Sequence, residues 1–157
     1  LVVHTKFADS LSECMQWLGT SYVRYYNKRY KTSGHLWQGR YKSFIVQRDS
    51  YLLTLIKYVE ANPLRAKIVT DASFYKYSSI KPRLSNSNNG LLDQAPIELP
   101  FLWLDFVNGI EKETDVTMIR NSIERQAPLG DEVWQSHIAQ SYGLESTLKP
   151  RGRPKLK

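Results

Sequence analysis

The stretch Tyr51-Leu52-Leu53-Thr54-Leu55-Ile56-Lys57-Tyr58-Val59-Glu60-Ala61-Asn62-Pro63-Leu64-Arg65-Ala66 sets the frame for the rest of the chain. Leu52, Leu55, Ile56 and Val59 recur at helical spacing, Asp49 stands where an N-cap belongs, and the residue before Pro63 disfavours helical backbone. The spacing therefore predicts a helix that starts after Asp49 and ends at Pro63. At about 100° per residue, Tyr58 and Asn62 fall roughly 40° apart on the flank of the apolar stripe, with Tyr51 beside them. Side chains placed there reach the edge of a core, where a site can open to solvent. Taken alone, a tyrosine near a helix end followed by Asn-Pro reads as packing and capping.

Upstream, Ser10-Leu11-Ser12-Glu13 has the pattern of a capping box, and Leu11, Met15, Leu18 and Tyr22 then recur at helical spacing. A helix over about 10–30 is expected, with Cys14 read as a small core residue on it. Its second half interleaves tyrosines with cations, a pattern that offers both phosphate contacts and stacking surfaces. Arg24, Lys28 and Arg29 suit a polyanion; Tyr22 and Tyr26 suit a core or a ligand face equally. Thr32-Ser33-Gly34 breaks the helix, and the run through Phe44-Ile45-Val46 favours a strand at about 41–47. Leu1-Val2-Val3 has the composition of the end of another strand.

Charge divides the chain into three blocks. Residues 1–84 carry 14 Lys/Arg against 5 Asp/Glu, residues 85–148 carry 3 against 10, and residues 149–157 carry 5 and none. The basic blocks are where a polyanion would bind, since Lys and Arg replace the counterions condensed on phosphates; a merely solvated basic face is the alternative. One cysteine among 157 residues excludes an internal disulfide framework and points to a reducing cytoplasm. No run approaches the roughly 18 apolar residues of a membrane span, so no membrane partner is expected.

The ordered set Gly34-His35-Leu36-Trp37-Gln38-Gly39-Arg40-Tyr41, Tyr51-Leu52-Leu53, Tyr58-Val59-Glu60-Ala61-Asn62-Pro63-Leu64-Arg65-Ala66 and Phe74-Tyr75-Lys76-Tyr77-Ser78-Ser79 resembles the REP-associated branch of the bacterial IS200-like tyrosine transposases. The resemblance covers about residues 1–84 and continues weakly to the basic tail. It implies an α/β (α+β) fold, part of the ferredoxin-like HUH nuclease fold with an antiparallel sheet, in which Leu1-Val2-Val3 ends a central strand. It also implies that Tyr58 is the nucleophile toward single-stranded hairpin DNA and that Asn62 assists a divalent metal, Mg or Mn. Attack by a tyrosine forms a phosphotyrosine and frees a 3′-hydroxyl, splitting strand exchange into two reversible steps. A phenol with a reference pKa of about 10 needs a base or a cation nearby for this work, and a metal would polarise the phosphate. Arg40 and Lys42 join Arg24, Lys28 and Arg29 as candidate backbone contacts, with Trp37 for stacking.

The family carries a His-hydrophobic-His motif on its central strand. This chain has no His-x-His; its histidines are His4, His35 and His137, each read as structural or surface. Oxygen-binding cations need several ligands, so Asn62 alone would hold one poorly. With Leu1 in place of a starting Met, the expectation is a fragment of the catalytic domain (1–84), inactive as given, any cutting being left to a complete parent. A non-catalytic DNA-binding derivative of a transposase is the alternative, and either would work in the cytoplasm, on the nucleoid.

Beyond Leu84, Ser85-Asn86-Ser87-Asn88-Asn89-Gly90 reads as a polar loop leading into a helical accessory region over 85–148. Short helices are expected from Phe101 and over about 115–126 and 131–142. The last two could read DNA, but their acidic setting favours protein packing or self-association, hence a homodimer. In the tail 149–157, Arg151-Gly152-Arg153-Pro154 resembles the core of an AT-hook, whose arginines enter a narrow minor groove. A disordered basic tail with general phosphate affinity fits equally.

Overall fold

The computed structural model describes residues 1–5, 7, 10–85, 90 and 92–150. The chain divides into two compact units, residues 1–42 and residues 43–157.

The first unit is built on α1, Ser10–Tyr30. The helix forms where the sequence predicts it, yet none of its residues is buried: Leu18 and Tyr22 are exposed, and Leu11 and Met15 only half-buried. Cys14, expected in a core, is exposed. Asn27 ends the helix by local hydrogen bonding. Its carboxamide oxygen accepts from Thr32 Oγ1 (3.0 Å) and its nitrogen donates to the Gly34 carbonyl (3.2 Å). Lys31 adopts a left-handed backbone (φ 52°), as does Gly34 (φ 102°), and this reverses the chain into the loop that carries Trp37, Arg40 and Lys42.

The second unit contains α2 (Ser50–Glu60), α3 (Asn62–Arg65), a 3₁₀ turn (Ala72–Phe74), α4 (Ile80–Leu84), α5 (Trp103–Asn108), α6 (Glu113–Arg125), α7 (Glu132–Tyr142) and α8 (Glu145–Leu148). Asp49 caps α2, its carboxylate accepting from the Tyr51 N–H at 2.8 Å. Leu52 and Ile56 face one core cluster with Ala61, Ala72, Ile80, Trp103 and Val107. Leu55 faces a second cluster with Ile119 and Leu129, edged by Phe44, Tyr51, Tyr58, Met118 and Ile123. Two packed faces make α2 the central strut of this unit. The α6–α7 turn is tied to the chain before α2, because Gln47 N–H donates to Leu129 O (2.9 Å) and Leu129 N–H to Ile45 O (2.8 Å).

Two expectations fail here. The described residues are mainly helical and form no strand or sheet, so the antiparallel sheet of a ferredoxin-like α/β fold is overturned. The β-favouring run at 41–47 is extended, but it pairs only as an isolated parallel bridge between Val46 and Leu129. Leu1-Val2-Val3 is likewise exposed, outside any ladder. β-propensity describes side chains that fit a pleated surface, and without neighbouring strands to supply that surface a lone run stays a bridge. The second failure is register within α2. Val59 is exposed, and the position facing the core is Glu60 at 1% exposure.

Candidate active site around Tyr58

Tyr58 lies in the last turn of α2, and Asn62 opens α3 one turn later. Pro63 has no N–H to continue α2, and α3 follows after a one-residue turn at Ala61, whose backbone stays in the right-handed helical region. The turn brings Arg65 over the tyrosine: its guanidinium carbon sits 3.8 Å from the centre of the Tyr58 ring. Arg65 Nη2 donates to the Tyr58 carbonyl (2.9 Å) and to Asn62 Oδ1 (3.3 Å), while Nη1 donates to Glu111 Oε2 at 2.5 Å. Both partners of the Arg65–Glu111 pair are largely shielded, with side-chain exposures of 19% and 17%. Tyr58 itself is half-buried and Asn62 exposed, so a phenol anchored in the core edge stands beside a solvent-facing carboxamide.

Among the described residues no group of three or more His, Cys, Asp and Glu side chains is placed to hold a metal ion. Asn62 offers one neutral oxygen, and that oxygen already accepts from a guanidinium. This donor set does not fit a divalent cation, which requires several oxygens free of competing positive charge.

Sequence reasoning missed two carboxylates. Glu111 lies far along the chain from Tyr58, and no local pattern marks it. Glu60 did leave a signal, because it continues the i, i+4 row of Leu52 and Ile56. It is buried and fully engaged, accepting from Ser79 Oγ (2.5 Å), Trp103 Nε1 (2.7 Å) and Arg83 Nε (3.0 Å). The network ties α2 to α4 and α5, and we assign it to scaffold rather than chemistry.

The other candidates lie in the first unit. Arg24, Lys28 and Arg29 are exposed on α1, and Arg40 and Lys42 are exposed in the following loop. Rings at four-residue spacing form a ladder along α1, Tyr22 to Tyr26 at 6.3 Å and Tyr26 to Tyr30 at 4.5 Å, and Trp37 extends it at 5.7 Å from Tyr22. Tyr22, Tyr30 and Trp37 each keep between 45% and 57% of their surface exposed, which leaves aromatic area beside the cations. His4, His35 and His137 are all exposed. Arg151 and Arg153 lie outside the described residues. No helix among the described residues is long and apolar enough to cross a membrane.

Residues 1–62 match a family model described as Transposase IS200 like, and the matched segment ends on Asn62. That segment, which contains both Tyr58 and Asn62, is thus similar to the transposase family. Comparisons with curated proteins and with solved structures return no match.

Proposed function

We propose that this chain carries the nucleophile of a single-strand DNA transposase, with Tyr58 attacking a phosphodiester in hairpin DNA of the repetitive extragenic class. The observation that carries the reading is the placement of Tyr58 and Asn62 one helical turn apart at a packed helix end, within the segment that matches the transposase model. In the first step the Tyr58 Oη–P bond forms and the P–O3′ bond breaks, with the phenolic proton passing to the departing 3′-oxygen. In the second, a 3′-hydroxyl attacks the phosphotyrosine and the proton returns to the phenol. Arg24, Lys28, Arg29, Arg40 and Lys42 would hold the DNA backbone, Trp37 and the tyrosine ladder would stack on unpaired bases, and the tail would add phosphate contacts.

The misfit of the described residues with a divalent cation favours a second reading, a DNA-binding relative that no longer cuts. One assay separates the two. A 5′-labelled hairpin oligonucleotide with a nicked suicide substrate is incubated with this chain and with the same chain extended upstream in frame, with Mg or Mn present. A denaturant-resistant protein–DNA adduct that disappears in Tyr58→Phe supports the transposase; hairpin binding without an adduct in either chain supports the binding protein.

A further inference from the structure

Arg65 is the residue whose surroundings exceed what a packing role requires. One guanidinium stacks on the Tyr58 ring, takes the Tyr58 carbonyl and the Asn62 carboxamide, and is fixed from the far side by Glu111. A planar fork with five donors can satisfy several acceptors while presenting its face to a ring; a lysine ammonium can not do both. The arrangement leaves the ring face covered by positive charge and the exposed edge of the site open at Asn62.

Resting on the reading of Tyr58 as nucleophile, we propose that Arg65 is a positioning residue that serves as the resident cation of the site, orienting the Tyr58 phenol and stabilising the negative charge that develops on it. Ring-face contact with a cation strengthens when the ring becomes anionic, because charge on the phenolate oxygen delocalises into the π-system. The cation acts in both directions of the transesterification, when the phenolic proton is lost and when the P–Oη bond breaks and the phenolate leaves. Glu111 holds the fork in register and opposes part of its field. The role differs from a metal ligand's: Arg65 occupies the oxygen through which Asn62 could bind an ion.

The test reads Tyr58 in two independent ways. The first is labelling of the 157-residue chain by an aryl sulfonyl fluoride, in which the Oη–S bond forms, the S–F bond breaks and the phenolic proton leaves with fluoride. Mass spectrometry compares Tyr58 with the exposed Tyr25 and Tyr77. The second is adduct formation with saturating hairpin DNA in whichever chain is active. Arg65→Gln should slow Tyr58 by at least tenfold in both, about 1.4 kcal/mol of barrier. Labelling of Tyr25 and Tyr77 and the hairpin dissociation constant should stay within about twofold. Millimolar guanidinium should restore much of the loss, whereas methylammonium should not, and Arg65→Lys should recover part of the rate without added guanidinium. A variant that is slow only because it is misfolded would change Tyr25 and Tyr77 and would not respond to guanidinium; that result overturns the proposal, as does equal labelling of Tyr58 with and without Arg65. If labelling depends on Arg65 but no chain forms an adduct, the transposase reading falls and the effect of Arg65 on Tyr58 stands.

Discussion

Replacing Glu60 tests whether the second unit is built as described. The carboxylate is 1% exposed and accepts three hydrogen bonds, from the Trp103 indole, the Ser79 hydroxyl and the Arg83 guanidinium. Arg83 is itself 15% exposed and lies with its guanidinium carbon 6.0 Å from the Trp103 ring centre. Glu60→Ala removes every acceptor at once and leaves a largely shielded cation and a buried indole N–H without these partners. Breaking one side of a buried ion pair costs about 3–5 kcal/mol, and this estimate already contains most of the cost of the stranded donors. Set against a typical domain stability of about 5–15 kcal/mol, the loss is a large fraction of the total. Glu60→Gln keeps the shape and one acceptor oxygen but points an N–H₂ at a donor, so about 2–3 kcal/mol is expected. Urea unfolding followed by far-ultraviolet circular dichroism and tryptophan fluorescence measures both. At an m-value of about 2 kcal/mol/M, the alanine variant should lower the midpoint by roughly 1.5–2.5 M with m unchanged. A shift under about 0.3 M would mean that Glu60 is solvated and that the packing of α2 against α5 is wrong.

Three further outcomes are expected. Gly130→Ala should destabilise by about 1–3 kcal/mol in the same urea experiment, because an added methyl would collide with Gln47 and the Trp134 ring. Asp131 caps α7; the Trp134 N–H, then the Gln47 side chain, hold its carboxyl below the usual carboxylate range. A lowered folded value gives stability that is present above the unfolded value near 3.8 and lost as pH falls through the folded one, so the gap in melting temperature between the wild type and Asp131→Asn should narrow from pH 7 to pH 2.5. Deleting residues 149–157 removes five cations and should lower the slope of log K against log[salt] for hairpin binding by up to about 3–4, and an unchanged slope would exclude the tail from the interface.

Helix positions were legible because capping and apolar periodicity are local. Ser10, Asp49 and Pro63 mark boundaries that the structure keeps within a few residues, as do the stripes of α6 and α7. The lack of a sheet among the described residues was not legible, since a strand exists only with a partner, and Val46 there pairs only with Leu129, more than eighty residues away. Register failed at Val59 and Glu60 for a related reason. An acidic residue reads as solvent-facing until the donors that satisfy it, here from Ser79, Arg83 and Trp103, are known to converge. At the site, spacing set Tyr58 and Asn62 one turn apart on a helix flank while their roles came from the family resemblance alone, and Glu111 reaches Arg65 only through the packing of distant elements.

The break between α2 and α3 links stability to chemistry at Tyr58. The last carbonyls of any helix lack partners within it, and Pro63 cannot supply an N–H in this turn. Arg65 donates to one of those carbonyls, that of Tyr58, so the group that finishes α2 is also the group that stacks on the tyrosine ring. A substitution at Arg65 must therefore loosen the helix end and withdraw the cation together, and Glu111 variants separate the two. Glu111→Gln keeps an acceptor for Nη1 while deleting the opposing charge; Glu111→Ala deletes both. If Arg65 acts only as a cap, the glutamine variant should leave Tyr58 labelling unchanged. If its field matters, labelling should rise in Glu111→Gln and fall in Glu111→Ala, where the fork is free to swing off the ring. Labelling that falls in both variants would show that the charge of Glu111 itself assists the phenol, and would reverse the assignment of which member of the pair serves the site.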